Sequence, residues 1–185
     1  DILADLDSGE LLSDALPLDY WVKVMRRALI EQNSNRQAGG HDGDHGPGQG
    51  WGHPDWYPTL AELEPVILQI EGLLLPEPYQ FTDGYEIEEV YQILRSKMKT
   101  DFDLLYQEML VTELNYAAGL GLIGENDRLR VLISWGEALI NINPDPAAVY
   151  GANDKSGEKD YKSDIRNAFA IFEAVNTGGG GGVDE

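Results

Sequence analysis

The chain contains no cysteine, which excludes disulfides, thiolate metal sites and cysteine nucleophiles. Basic residues are scarce, with 13 Lys and Arg against 33 Asp and Glu and a formal net charge of −20. A surface this acidic argues against binding to nucleic acid, which wants a basic face, and against adhesion to anionic lipid. Long hydrophobic runs are missing too. The longest, "PVILQIEGLLLP", is interrupted by Gln69, Glu71 and Gly72, well short of the roughly 20 apolar residues of a membrane helix. No membrane insertion is expected. There is no "GxSxG" elbow, no "HExxH" and no phosphate-binding glycine loop. Carboxylates are so numerous that no pair of them marks a site, and the expectation is a protein without enzymatic activity. The first residue is Asp1, which suggests processing or a partial chain.

What is present is helical periodicity. Scattered leucines in residues 1–16 suggest a helical turn or two closed by Pro17. Asp19 can cap a helix starting near Tyr20, in which Trp21, Val24, Met25, Ala28 and Leu29 form one stripe before it fades through "NSNRQAGG". "TLAE" at 59–62 reads as a capping box. Pro65 then removes a backbone donor in the second turn, so a helix should either stop near Leu63 or start at Pro65. Ile87, Val90, Tyr91 and Leu94 make the stripe of a further helix capped by Thr82 or Asp83.

The clearest helix is "TDFDLLYQEMLVTELNYAAG", with Thr100 as cap and Gly119 as stop. It is apolar on two faces, one of Phe102, Leu105, Met109 and Tyr116, the other of Leu104, Val111, Leu114 and Ala118. A helix apolar on most sides is central and buried. The next helix turns Leu129, Leu132, Ile133, Gly136, Leu139 and Ile140 inward. A last one, over about 161–175, does so with Ile165, Ala168, Phe169 and Phe172. The fold class is therefore all-α, with five or six helices packed around a central buried helix at about 101–118 and joined by long Gly/Pro-rich loops. The expected organisation is an N-terminal helical extension (1–38), a Gly-rich loop (39–49), a helical module (50–177) and a Gly-rich tail (178–185).

All three histidines fall in "GGHDGDHGPGQGWGHPDWYP", residues 39–58, which also holds seven glycines and three prolines. Such a segment is loop. His41 and His45, with Asp42 and Asp44, are a candidate divalent-metal set, since imidazole suits zinc and carboxylates can complete the shell. The competing reading is a solvated polar loop, because glycine denies the segment helical geometry. His53, between Trp51 and Trp56, is either a ligand or a packed residue that fixes the loop to the helices. "NDKSGEKD" at 153–160 has the wrong spacing for a helix–loop–helix calcium site and reads as a turn-rich loop. Asp145, Asp154, Glu158 and Asp160 leave an irregular calcium site open. Asn115 lies in the apolar central helix, where a buried amide needs partners. The expected partner is loop backbone such as that of Trp51–Trp56.

Five stretches, "GWGHPDWYP" (50–58), "EEVYQIL" (88–94), "QEMLVTELNYAAG" (107–119), "VLISWGEALI" (131–140) and "IFEAVNTG" (171–178), occur in a suggestive order. From Gly50 onward the chain resembles a poorly characterised domain of secreted bacterial and archaeal proteins, with a "GYWKxHPxxW"-like opening and a helix carrying "QLxAAxLN.A.G". The likeness covers about two thirds of the chain. Gly52 stands where that family often has a lysine, and residues 1–48 have no counterpart. The resemblance implies a secreted or cell-surface protein with no established enzymatic role. The expected function is that of a structural or interaction protein, such as a subunit of an extracellular filament, with itself or other extracellular proteins as partner. The alternative is a divalent-metal protein or metal-dependent hydrolase built on His41, His45 and His53, with calcium or zinc as the cation.

Overall fold

A computed structural model describes residues 1–38, 57–70, 86–142 and 155–178. These residues form α1 (Ile2–Asp7), α2 (Leu18–Ala38), α3 (Leu60–Ile70), α4 (Glu86–Arg95), α5 (Asp101–Ala117), α6 (Asn126–Ile142) and α7 (Lys155–Thr177). The all-α class holds. Six helices accompany α5 among the described residues, in line with five or six expected around a central one. No helix among them is long and apolar enough to cross a membrane.

The termini of α5 follow from its sequence. Thr100 Oγ1 accepts the Asp103 N–H at 3.1 Å and closes the positive end, where Asp101 and Asp103 also sit. At the other end the Gly119 N–H bonds Tyr116 O at 3.0 Å and the Leu120 N–H bonds Asn115 O at 2.8 Å. That pair of bonds requires a left-handed residue at position 119, and Gly119 has φ +78°. Every residue from Leu105 to Asn115 except Glu108 is buried. Helices α2, α3, α4, α6 and α7 all pack on α5, with α7 the most extensive neighbour. The two expected faces of α5 are buried only in the middle. Tyr116 is exposed, and Phe102, Leu104 and Ala118 are half-buried, because neighbours cover the centre of a helix better than its ends.

Helix α6 turns all six expected residues inward. Gly136 marks its closest approach: a Cβ there would lie 2.7 Å from the Phe172 ring of α7 and 2.8 Å from the Met109 Sδ of α5. Helices α5 and α7 run in the same direction. Arg166 in the middle of α7 pairs with Asp101 at the start of α5 at 2.6 Å, and Asn176 near the end of α7 meets Thr112 further along α5 at 2.9 Å. Leu6, Leu11 and Trp21 of the N-terminal 38 residues are buried in the same core as α5 and α6.

Several boundaries depart from expectation. Helix α3 passes through Pro65 rather than stopping or starting at it. The capping box forms, with Glu62 N–H on Thr59 Oγ1 at 3.3 Å and Thr59 N–H on Glu62 Oε2 at 2.8 Å. Pro65 then costs one backbone bond, but Leu63, Val66, Ile67 and Ile70 are all buried and hold the helix together across the gap. Helix α2 starts at Leu18 instead of near Tyr20 and continues to Ala38. Helix α4 ends at Arg95. Helix α7 begins at Lys155, so most of "NDKSGEKD" is helix and not a turn-rich loop. The run of Lys155, Glu158, Lys159 and Lys162 is compatible with helix once Tyr161 and Ile165 have a core to enter.

Candidate functional site: a buried polar junction and a carboxyl pair

Two polar features interrupt the apolar core, and both sit on α5. The first is centred on Asn115. Its Oδ1 accepts the Leu16 N–H at 2.8 Å and the Trp21 indole N–H at 3.1 Å. Its Nδ2 donates to Leu16 O at 2.9 Å and to Asn176 Oδ1 at 3.3 Å. The carboxamide thus pairs with both backbone groups of Leu16, as a neighbouring strand would. The Thr112 hydroxyl, which lies 2.9 Å from Asn176 Oδ1 and 3.1 Å from Glu108 O, joins the same network. Asn176 Nδ2 donates to Glu108 O and to Glu108 Oε2, both at 2.8 Å. Burial raises the Glu108 carboxyl above its ordinary pKa; the Asn176 bond opposes that, and nearby Glu173 adds to it.

The expectation that Asn115 bonds loop backbone is met, but the loop is different. It is the segment before α2, not Trp51–Trp56. A buried amide has no sequence signal for its partner, and Leu16 is 99 residues away. The same segment is tied at three more places. Ser13 Oγ donates to Val175 O at 2.7 Å, and Asp14 Oδ1 accepts the Gly121 N–H at 2.7 Å. Ile123 N–H bonds Leu12 O at 2.9 Å beside an isolated antiparallel bridge between Ser13 and Leu122. Gln107 does comparable work at the end of α4. Its Nε2 lies 2.8, 3.0 and 3.1 Å from the carbonyls of Ile93, Leu94 and Ser96, at a helix C-terminus where carbonyls run short of backbone donors.

The second feature is Glu113, on the α6 side of α5. Only 7% of it is exposed. Its Oε1 is shut off from solvent with no hydrogen-bond partner among the described residues. The carboxyl shares a hydrogen bond with that of Glu137 on α6. Desolvation, then the charge of Glu137 and that shared bond, push Glu113 up to about 8. Glu137, half-buried, is raised by desolvation, against which the bond to Glu113 works. Two carboxyls in contact hold one proton between them, because both cannot ionise at close range without cost. At neutral pH Glu113 keeps its proton.

Chemically, the junction is a hydrogen-bonded set of two amides, a hydroxyl and the Glu108 carboxyl. It ties the strap of residues 11–16, α2, α5 and α7 into one unit. Of the residues singled out from sequence, Asn115 and Gly119 lie at this end of α5. His41, Asp42, Asp44, His45, Trp51, His53 and Trp56 lie outside the described residues, as do Thr82, Asp83, Asp145 and Asp154. Asp160 is exposed. Among the described residues no three His, Asp or Glu side chains converge as a metal site would require. Among the described residues, Tyr57 at the end of the histidine segment packs on the helices. It stacks on Tyr20 with ring centroids 6.2 Å apart, and the Arg27 guanidinium lies 5.1 Å over its ring. Comparison of the chain with protein-family models, with curated proteins and with solved structures found no match.

Proposed function

We propose that the protein is a non-enzymatic structural or interaction module of the secreted or cell-surface kind. In this reading it associates with itself or with other extracellular proteins, as a subunit of an assembly such as a filament. The observation that carries the reading is where large apolar side chains are left. Val131 (69% exposed) and Trp135 (37%) lie one turn apart on the outer face of α6, and Leu12 (59%) and Ile123 (54%) are neighbours beside the Ser13–Leu122 bridge. Meanwhile the buried polar groups of the junction are engaged in holding segments together. Single exposed apolar residues are ordinary, whereas grouped ones favour contact with a partner.

A net charge of −20 would drive copies apart in dilute buffer. Association is therefore expected to strengthen as salt or divalent ions screen that charge. The secreted setting rests on the resemblance of residues 50–178. Sedimentation of the native protein in calcium-containing, high-salt buffer tests the reading. The expected result is oligomers that grow with concentration. A monomer at every concentration removes the support for assembly.

A further inference from the structure

We propose that the outward face of α2 docks on the acidic edge that residues 7–14 form with Ile123 in a second copy of this chain. The contact rests on the self-association reading and names the surfaces that make it. Three of the chain's 13 basic residues, Lys23, Arg26 and Arg27, fall within two turns of α2, and Ile30 follows at the same spacing of three and four. All four are exposed, Ile30 to 59%, and residues at that spacing share one helix face. None of the three cations forms an ion pair among the described residues, although the chain holds 33 acids and Asp19 stands one turn before Lys23. Arg27 lies over the Tyr57 ring, while Lys23 and Arg26 project into solvent. A strip of cations beside an exposed apolar side chain fits a partner surface that is acidic around an apolar centre.

The same chain carries that surface. Leu12 and Ile123 are exposed side by side at the Ser13–Leu122 bridge. Asp7, Glu10 and Asp14, exposed as well, flank Leu12 in sequence. Asp14 gives one carboxylate oxygen to the Gly121 N–H, whereas Asp7 and Glu10 form no ion pair among the described residues. With Ile30 set on Leu12 and Ile123, Arg26 and Lys23, one and two turns back along α2, are left to meet Glu10 and Asp7. Both surfaces face solvent in the single chain, so they meet between copies. They are different patches, so the contact is head-to-tail and repeats from copy to copy into a ring or a filament. The like charge of two copies at −20 does not prevent it. At about 0.15 M salt, charges more than about 8 Å apart are largely screened, while partly buried pairs at the contact are screened much less.

Sedimentation under the conditions that assemble the wild type tests the contact. Lys23→Glu/Arg26→Glu is expected to raise the concentration of half-assembly at least about tenfold, since like charges then oppose each other at the contact. Lys97→Glu/Lys99→Glu changes the net charge equally at two exposed residues between α4 and α5. It is expected to raise that concentration less than about threefold, because distant charges are screened. Adding Asp7→Lys/Glu10→Lys to Lys23→Glu/Arg26→Glu exchanges the signs and leaves the net charge at −20. Assembly is then expected to return to within about threefold of the wild type. Ile30→Ser alters no charge and is expected to weaken assembly at least about threefold. An equal loss in the two double variants, or undiminished assembly of Lys23→Glu/Arg26→Glu or of Ile30→Ser, overturns the contact while self-association stands. A loss that the exchanged signs do not repair assigns the α2 face to another anion and overturns it as well. A wild-type monomer at every concentration overturns both.

Discussion

The carboxyl pair makes a sharp prediction about stability and pH. Glu113 has an ordinary pKa of 4.5 that the fold pushes up to about 8. A raised acid binds more protons folded than unfolded, so the stability it contributes is fully present below 4.5 and is lost as pH rises towards 8. At 1.36 kcal/mol per pH unit the full difference is about 5 kcal/mol. Water entry and side-chain relaxation recover part of it, which leaves roughly 2–3 kcal/mol, or about 5–10 °C in Tm for a chain of this size. The wild-type Tm is therefore expected to fall by that amount between pH 5 and pH 8.5.

Glu113→Gln keeps the shape and offers the Glu137 carboxylate an amide donor, but it carries no proton to lose. Its Tm should match the wild type near pH 4.5 and exceed it at pH 8.5. Two effects run in parallel and cancel in the difference. Glu108 shifts in the same direction as Glu113 and is present in both proteins. The self-repulsion of the acidic surface also grows with pH in both, and about 1 M salt screens it. Asp5 acts elsewhere. The Arg128 hydrogen bond lowers it, so its stabilising share is present above its ordinary value of 3.8 and is lost only in acid. The measurement is differential scanning calorimetry of both proteins at half-unit pH steps. Parallel Tm curves, with a constant gap from pH 5 to pH 8.5, refute the buried neutral acid.

Asn115→Ala removes the acceptor of the Trp21 indole and both backbone partners of Leu16. With several buried groups orphaned at about 1–3 kcal/mol each, a loss of about 3–5 kcal/mol is expected in urea unfolding, and Asn115→Asp should not restore it because Leu16 O loses its donor. Gly136→Ala forces a methyl against Phe172 and Met109, and overpacking should cost about 1–3 kcal/mol in the same assay. Pro65→Ala returns a backbone donor to an exposed position of α3 and should raise Tm. An unchanged or lower Tm would mean that the stiffening of the unfolded chain by Pro65 outweighs the missing bond. Calorimetric titration with zinc, copper and calcium should give the same heats for the wild type and a His41→Ala/His45→Ala variant. Heat lost in the variant would support the metal reading of that segment.

How far the chain could be read in advance depends on the range of the interaction involved. The capping box at Thr59, the cap at Thr100 and the stop at Gly119 are set by neighbours within four residues, and all three are formed. The inward stripe of α6 is likewise a local pattern, visible at spacings of three and four. Pro65 misled because the rule against proline in a helix weighs one lost bond, whereas four side chains of the same helix buried in the core outweigh it. Asn115 was legible as a buried amide needing partners, but its partners are set by how α5 meets the strap. Glu113 was the hardest to see. In a chain with 33 acidic residues one glutamate looks like any other, and its one local mark is that it follows Met109 by four residues on a face that α6 covers. Burial turns the common residue into the informative one. A glutamate in water costs nothing to ionise, while the same group between α5 and α6 keeps its proton to neutral pH and so makes the α5–α6 contact depend on pH.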